Sequence, residues 1–306
     1  MGNNDITSTA YNDGIITIAS ITDDVVITAS AIEVITFKDD AVKEICVTNW
    51  GGGTLAGEIT PEEAMLVTSL NDAFYGNTTI KYFPELKYFT GLTGNWLQHP
   101  TTINAVSDYR GQFTGCTALE ELEFPARNIN QLSGSFFNCS SLKEVDLSPV
   151  TMTATGNAGR RFSVVFRGCS SLKKITLPQA WASSLTNFYQ PFQGCSSLEY
   201  IDFGNMSFAG ITSNITSTAA NEGFNGCTSL TTIKNGFVDL KVNLRLAKSP
   251  LTRESVLEII DNVYDYRGNG DSSTTKTITL KATTYALVTA EDIALAVAKG
   301  WNIVSA

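Results

Sequence analysis

The sequence predicts an α/β fold in which repeated units stack into a solenoid with a ladder of parallel strands. The main observation is a motif that recurs five times: Phe, two residues, Cys, two small residues, Leu. Its copies occupy 113–119, 136–142, 166–172, 192–198 and 224–230. Self-similarity at this period indicates structural units that bury their apolar faces on their neighbours. A stack of this kind presents an extended surface, which favours a binding function over catalysis.

Each motif copy is followed by the pattern of a short strand. In the second copy, Val145 and Leu147 come after the motif and stand two residues apart, which is the strand period. Successive cysteines are 23, 30, 26 and 32 residues apart, which fits a unit of about 23 residues carrying insertions of different length. Glycine precedes the cysteine in most copies and suits a tight turn. We therefore expect the Phe and Cys on the return side of each coil, in a helical or 3₁₀ turn.

The repeat resembles the BspA-like leucine-rich repeat family of bacterial surface proteins, over residues 70–306. The resemblance implies a leucine-rich-repeat solenoid with a binding function that needs no cofactor. A degenerate unit at 74–80 has Asn77 in place of the cysteine. By the same resemblance, the Asn77 side chain should bond loop backbone and mark the N-terminal edge of the solenoid.

The region before the repeats divides into two predicted parts. Residues 1–34 are β-rich, and the apolar segments 15–18 and 25–28 form a hairpin signal. This stretch resembles a short β segment found in large surface and phage tail proteins of gut bacteria. Residues 35–69 predict a helix–loop–helix that caps the solenoid.

The loop of this helix–loop–helix resembles an EF-hand that has lost its ion. Gly57, Ile59 and Glu63 match loop positions 6, 8 and 12, but positions 1, 3 and 5 hold no Asp or Asn. Calcium needs oxygen ligands at those positions. We therefore expect the helix–loop–helix shape to be kept without metal.

After the repeats of 70–245, residues 246–306 predict an α/β C-terminal cap. Thr252 is a good N-cap for an amphipathic helix whose apolar residues run from 256 to 263. A strand follows at 275–280, then a helix at 290–298 that ends at Gly300, and a short strand at 301–304. Such a cap covers the open apolar end of a solenoid.

Composition excludes several classes of partner. The net charge is −9, which argues against nucleic acid and against direct binding to anionic lipid. No apolar run approaches the 18 residues that a membrane-spanning helix requires. The chain begins without the charged-then-apolar pattern of a signal peptide.

The cysteines fit a structural role. Five of the six occupy the same repeat position, and Cys46 lies outside the repeats. We predict that they are reduced, small and buried. Metal binding is not expected, because no C-x-x-C pair occurs and His99 is the only histidine.

The outward strand positions carry carboxylates that we expect to be stacked about 5 Å apart, with Glu121 beside Glu144 and Glu123 beside Asp146. Like charges at that distance would repel and raise each other's pKa. The spacing leaves three readings open: a solvated acidic face, a weak cation or ligand site, and a glycosidase pair. An open sheet face without a cleft favours the first.

The insertions at 95–112, 148–165, 178–191 and 204–223 carry aromatic and arginine residues, the types that dominate binding hot spots. The alternative is that the aromatic side chains pack over the coil and that the arginines are solvated. Together with one tyrosine on the sheet face, the candidate ligand-binding residues are Trp96, Tyr109, Arg110, Arg160, Arg161, Trp181, Tyr189 and Tyr200.

Three functions follow from these observations. The first is a non-enzymatic adhesion protein on the cell surface, which recognises a host or microbial protein or a glycan through its repeat face or insertion loops. The second is a phage tail or virion protein with a receptor-binding role. The β segment in the first 34 residues and the lack of a signal-peptide pattern favour it. The third is a carbohydrate-active enzyme, for which no constellation of side chains is found. The sequence leaves the oligomeric state open.

Overall fold

A computed structural model of the chain describes residues 11–12, 15–16, 31–93, 96–97, 111–153, 162–181, 184–212 and 223–306. The chain divides into two compact units, Met1–Glu33 and Val34–Ala306. In the first unit, β1 (Tyr11–Asn12) pairs antiparallel with β2 (Ile15–Ile16). This hairpin is earlier in the chain than the predicted one, whose second strand at 25–28 lies outside the described residues.

The second unit begins with two helices, α1 (Asp40–Trp50) and α2 (Pro61–Leu66). Asp39 caps α1 by accepting a hydrogen bond from the Ala41 N–H at 3.0 Å. Thr60 and Glu63 form a capping box at α2, since each side chain accepts from the other residue's backbone N–H. The predicted helix–loop–helix is therefore present.

The repeats form a ladder of short parallel strands. β3 (Tyr82–Phe83), which leads into a 3₁₀ helix (Pro84–Tyr88), pairs with β4 (Glu121–Leu122). β6 (Glu144–Asp146), β8 (Lys174–Thr176), β10 (Tyr200–Asp202) and β11 (Thr232–Lys234) form a four-stranded sheet in that order. Their central residues are in register and buried: Val145, Ile175, Ile201 and Ile233.

The segment after β4 and two of the insertions add a second ladder that the sequence did not predict. β5 (Asn128–Ile129), β7 (Thr151–Met152) and β9 (Ala180–Trp181) pair in parallel as a separate three-stranded sheet. Ile129 and Met152 are buried. Parts of the insertions therefore stack with the same periodicity as the repeats.

The motif phenylalanines form a column of rings through the core. Successive ring centroids are 5.6, 5.4, 5.9 and 5.4 Å apart from Phe113 to Phe224, and three of the four pairs lie within 6° of parallel. Phe74 of the degenerate unit extends the column at 5.6 Å from Phe113. Each ring buries its faces on its neighbours, so the stack itself creates the core.

The motif cysteines are reduced and buried, as predicted, but they also make hydrogen bonds. Each thiol donates to the carbonyl oxygen of the phenylalanine one repeat earlier, at 2.9–3.2 Å. The prediction of a small, apolar residue at this position therefore left out its hydrogen bond to the neighbouring repeat. Burial raises the pKa of the Cys116 thiol to about 12, and also raises that of Cys227, so these thiols stay protonated.

The residue before each cysteine adopts a left-handed conformation. Its φ is 76°, 80°, 81° and 87° in the four copies that have glycine, and 61° at Asn138. At this point each coil is bonded to the next: the N–H of Gly168, for example, donates to the Gln193 carbonyl at 2.8 Å. In the degenerate unit, the Asn77 side chain accepts from the backbone N–H groups of Thr79 and Ile80, which confirms its predicted role.

The C-terminal cap combines a parallel sheet with three helices. β12 (Leu244–Leu246) precedes α3 (Arg253–Asn262), which begins after the predicted N-cap Thr252. Next come β13 (Lys276–Leu280), α4 (Ala282–Tyr285), α5 (Ala290–Ala298) and β14 (Trp301–Ser305). The sheet order is β12-β13-β14, all parallel. The short α4 was not predicted.

One ion pair joins two helices of this cap. Arg253, at the start of α3, donates from Nε and Nη2 to the two carboxylate oxygens of Asp292 at 2.8 and 2.7 Å. Asp292 is 2% exposed and also closes the capping box of α5 with Thr289. A bidentate pair of this kind fixes the relative orientation of α3 and α5.

Candidate binding surface

The outward side chains of the strands form a continuous polar face, which we call the sheet face. One row of register partners contains Glu144, Lys174, Tyr200 and Thr232. A second row contains Asp146, Thr176, Asp202 and Lys234. Charged side chains therefore cover the exposed side of the sheet, as predicted for outward positions.

At its N-terminal end the sheet face is neutralised by lysines. Lys38 Nζ lies 2.7 Å from Glu121 Oε2, and Lys87 Nζ lies 2.8 Å from Glu123 Oε2. Glu120 forms a third pair, with Lys143. The hydrogen bonds to these carboxylates raise the pKa of Lys38, Lys87 and Lys143.

The sequence analysis expected Glu121 and Glu123 to face other carboxylates, but the structure gives each of them an ammonium partner as well. Both partners of the Lys38–Glu121 pair keep nearly half of their side chain exposed. Exposed pairs contribute little to stability, and their main consequence is to cancel surface charge.

The middle of the sheet face has a different character. Glu144, Lys173, Glu199 and Lys234 form no ion pair or side-chain hydrogen bond among the described residues. Lys174 is also without a carboxylate partner there, and its ammonium lies 5.7 Å from the centre of the Tyr200 ring. Burial and the nearby Asp202 charge raise the pKa of Tyr200, so its hydroxyl is a neutral donor at physiological pH.

Sequence reasoning placed Lys174 outward but did not select it or Lys173 as a binding residue. The sequence pattern could have indicated both lysines, because the two positions that follow each motif leucine point outward. These two positions hold Lys173 and Lys174 in the third copy. The two lysines are adjacent and both are exposed, and they give the centre of the sheet face a positive charge between Glu144 and Glu199.

Burial separates the predicted binding residues into groups. Trp96 is 2% exposed and packs against Phe124 at 6.4 Å. Trp96 is therefore buried in this structure, as the packing alternative expected, and a ligand contact by its ring stays a prediction. Phe188 is buried likewise, 5.5 Å from the Phe224 ring, as the packing alternative expected.

Trp181 and Tyr189 are half-buried. The Trp181 ring packs edge-on to Phe162 at 5.9 Å, and its Nε1–H donates to the Pro178 carbonyl at 2.6 Å. The backbone N–H of Tyr189 donates a hydrogen bond to the Asn187 side chain at 2.8 Å, which fixes the backbone at this point. Tyr200 lies on the sheet face. Tyr109, Arg110, Arg160, Arg161 and His99 lie outside the described residues, so their role stays a prediction.

The EF-hand-like loop is closed by its own backbone. Glu63 Oε1 accepts from the Thr54 N–H at 2.7 Å, and Oε2 accepts from the Thr60 N–H at 2.9 Å. These hydrogen bonds, with the Thr60 N–H the largest contributor, lower the pKa of Glu63. The carboxylate at loop position 12 thus binds N–H groups where an EF-hand would hold calcium.

The described residues contain neither a metal-binding cluster nor a membrane-spanning helix. Over the part of the chain that the structure describes, no group of three or more His, Cys, Asp or Glu side chains is arranged to hold a metal ion. In the same part, no helix is both long and apolar enough to cross a membrane.

The parallel ladder, the phenylalanine column and the polar sheet face define a leucine-rich-repeat solenoid protein. Residues 162–239 match the family model described as BspA type leucine rich repeat region, in six copies. Residues 162–239 therefore carry BspA-type leucine-rich repeats, and they lie within the longer range of 70–245 for which the sequence predicts such repeats.

Comparison with individual proteins adds less. A search of curated proteins gave no match. Among solved structures, an internalin from Listeria monocytogenes is 11% identical, with 88% of each chain covered and a TM-score of 0.25. A score of this size carries no argument about the fold or function of this chain.

Proposed function

We propose that this protein is a non-enzymatic binding module displayed at the cell surface, and that the middle of its sheet face contacts a protein or glycan ligand. The supporting observation is the difference along that face. In the three ion pairs at its N-terminal end, each charge is balanced by its partner. Among the described residues, no ion-pair partner is found for five charged side chains in the middle of the face: Glu144, Lys173, Lys174, Glu199 and Lys234.

Unpaired charges on a rigid sheet suit recognition. A partner with complementary charge gains attraction and register from them without breaking any existing ion pair. Tyr200 adds an aromatic ring with a polar tip, and tyrosine is enriched in binding hot spots. Because the strands are held in register by the buried ladder, these groups keep fixed positions before binding, which limits the entropic cost.

The ligand class can be tested with purified full-length protein on a glycan array and on a panel of extracellular protein domains. For any ligand found, we expect Lys173→Glu combined with Lys174→Glu to weaken binding at least about tenfold, as loss of hot-spot charges does. Lys248→Glu is a control for charge reversal, since Lys248 is an exposed lysine in the turn after β12 and is not one of the residues of the sheet face. Equal binding by both variants would move the contact surface to the insertion loops.

The location of the protein is tested by a different measurement. Immunogold labelling of the source organism, with any phage particles it releases, should place the protein on the cell envelope. Label confined to virions would support the receptor-binding tail protein instead. Label confined to the cytosol would contradict both proposed locations.

A further inference from the structure

Three asparagines of the chain are followed directly by glycine: Asn225, Asn235 and Asn269. Asparagine is thermolabile in proteins, because the backbone nitrogen of the next residue can attack its side-chain carbonyl carbon. Glycine at that next position favours the attack, since it has no Cβ to shield its nitrogen. The attack requires the peptide group between the two residues to turn, so a hydrogen bond to its C=O or from its N–H opposes the reaction.

Two of the three Asn-Gly peptide groups are held in this way. The Asn225 carbonyl accepts from the Gly194 N–H at 2.8 Å, within the contact between adjacent coils. In the Asn269–Gly270 peptide group, the N–H donates to the Arg267 carbonyl at 3.0 Å. Each of these two peptide groups must therefore lose a backbone hydrogen bond before it can turn.

The third peptide group, between Asn235 and Gly236, is free to turn. Within the described ranges, no hydrogen bond reaches the Asn235 carbonyl or leaves the Gly236 N–H. The Asn235 side chain is exposed just after β11, so water reaches the amide. Gly236 is buried, but its attack is intramolecular and needs no solvent at the glycine. Of the three pairs, only this one combines an exposed asparagine with an unrestrained peptide group.

The other hydrogen bonds of Asn235 do not restrain that peptide group. Its backbone N–H donates to Glu258 Oε1 on α3 at 2.5 Å, but this N–H belongs to the preceding peptide group. Its side-chain Nδ2 donates to Asp202 Oδ1 on β10 at 2.8 Å. The latter bond is exposed, so water can replace either partner at little net cost.

We propose that Asn235 is a site of spontaneous deamidation on the sheet face. The Gly236 nitrogen loses its proton to solvent and forms a bond to Asn235 Cγ, while the bond from Cγ to Nδ2 breaks and ammonia leaves. Water then opens the resulting cyclic imide at one of its two C–N bonds. The products are an aspartate and an isoaspartate at position 235, and no oxidant or enzyme is required.

The new carboxylate would change the junction between the last repeat and the cap. The Asn235 amide donates to Asp202, whereas a carboxylate at the same place cannot donate and carries the same charge as Asp202. Two such groups repel each other. The C-terminal end of the sheet face thus gains a negative charge and loses a bond between the β11 turn and β10. The modification itself does not depend on the proposed function.

Peptide mass mapping of the full chain, aged in warm neutral buffer, tests this proposal. We expect aspartate and isoaspartate at position 235 to accumulate roughly fivefold faster than at positions 225 and 269, the factor that one hydrogen bond imposes on a rate. Equal rates at the three positions, or an unchanged Asn235 beside a converted Asn225 or Asn269, would overturn the proposal.

The same incubation in concentrated urea is the matched control. Unfolding removes the hydrogen bonds that distinguish the three peptide groups, and each asparagine is followed by the same residue. We therefore expect the three rates to become similar. A preference for Asn235 that persists in urea would show that neighbouring sequence, and not the free peptide group, causes it.

Two variants test the consequence of the modification. Asn235→Asp supplies the aspartate product, and it should melt at a lower temperature than the wild type at neutral pH. Asn235→Gln keeps an amide but would have to close a larger, more slowly formed ring, so its melting temperature should not fall on ageing. A melting temperature of Asn235→Asp equal to that of the wild type would contradict the predicted effect on the junction.

Discussion

The two ends of the solenoid solve the same problem differently. At the N-terminal end, Asp39 Oδ2 accepts from the backbone N–H groups of Lys81 and Tyr82, at 2.6 and 3.2 Å, and so bonds the edge of the first strand, β3. At the C-terminal end, β14 pairs with β13, and no strand among the described residues pairs with its other side. Within that part of the chain, a side chain closes the first of these two strand edges and not the second.

The hydrogen bonds at the N-terminal edge come from two neighbouring residues, Lys38 and Asp39. Asp39 performs two tasks, because its Oδ1 caps α1 while its Oδ2 bonds the strand edge. The nearby Lys38 bonds Glu121 through its side chain and Glu85 through its backbone N–H. Two consecutive residues thus fasten the N-terminal helices to the repeat stack.

The centre of the stack gives the reference for both ends. Leu172 is fully buried in the third motif copy, and Leu172→Ala should lower the free energy of unfolding by about 2–5 kcal/mol, because it leaves a cavity. Urea melts followed by circular dichroism measure this. Lys174→Ala, on the exposed side of the same coil, should cost less than about 0.5 kcal/mol. Equal costs would mean that the inward and outward assignments are wrong.

Loss of the Asp39 carboxylate should be the most damaging change at either strand edge. Asp39→Ala removes a helix cap and leaves two strand N–H groups without their acceptor, so we expect a cost of about 2–3 kcal/mol. Urea melts give the value, and hydrogen exchange at Lys81 and Tyr82 should quicken at the same time. Unchanged exchange at those two amides would show that Asp39 does not close the edge.

The C-terminal cap should be the more acid-sensitive end. Hydrogen bonds from Arg253, and then from the Thr289 N–H, lower the pKa of Asp292 to about 2 from an ordinary value of 3.8. Because the folded pKa is depressed, this stabilisation is complete above the ordinary value and is lost as the pH falls through about 2.

Comparison of the wild type with Asp292→Asn isolates this contribution. The wild type should melt at a higher temperature than the variant at about pH 5, and the gap should close as the pH approaches 2. A gap that stays constant over this range would show that the charge of Asp292 does not stabilise the cap.

The smallest expected effects are at the two capping boxes, which offer a matched pair. Thr60 accepts from the Glu63 N–H at 3.1 Å, and Thr289 accepts from the Asp292 N–H at 3.3 Å. Thr60→Ala and Thr289→Ala should each cost about 1 kcal/mol, measured in the same urea melts. Thr→Ser at each site keeps the acceptor and should restore most of the loss. A failure of serine to restore stability would mean that packing, not capping, is the role of that threonine.

The repeating part of the fold was predictable because its signal is local and periodic. The spacing of Val145 and Leu147 gives the strand, and Thr252 gives the start of α3, since in each case the determining residues are within a few positions of one another. The thiol hydrogen bonds were missed for a different reason. A cysteine in a repeat looks apolar until stacking brings the preceding phenylalanine carbonyl to about 3 Å from its sulfur.

The candidate site was less predictable because its pairing is not local. Lys38 is 83 residues from Glu121, and Lys87 is 36 residues from Glu123. No periodicity within the repeats indicates those partners. The burial of Trp96 was not predictable, because residue type alone does not separate a ring in the core from a ring on a loop. The charges left unpaired on the sheet face became visible only after the pairs at its N-terminal end were assigned.

One of the left-handed residues that precede the motif cysteines is an asparagine, Asn138, and its side chain lies close to the corresponding glycine of the next repeat, Gly168. A Cβ atom added at Gly168 would lie 2.3 Å from the Asn138 side-chain oxygen, whereas one added at Gly194 would meet nothing closer than 3.7 Å. While Asn138 is present, Gly168 is therefore constrained by its neighbour as well as by its own backbone. A Cβ atom at position 168 would require the Asn138 side chain to move, so these two positions on adjacent coils constrain each other.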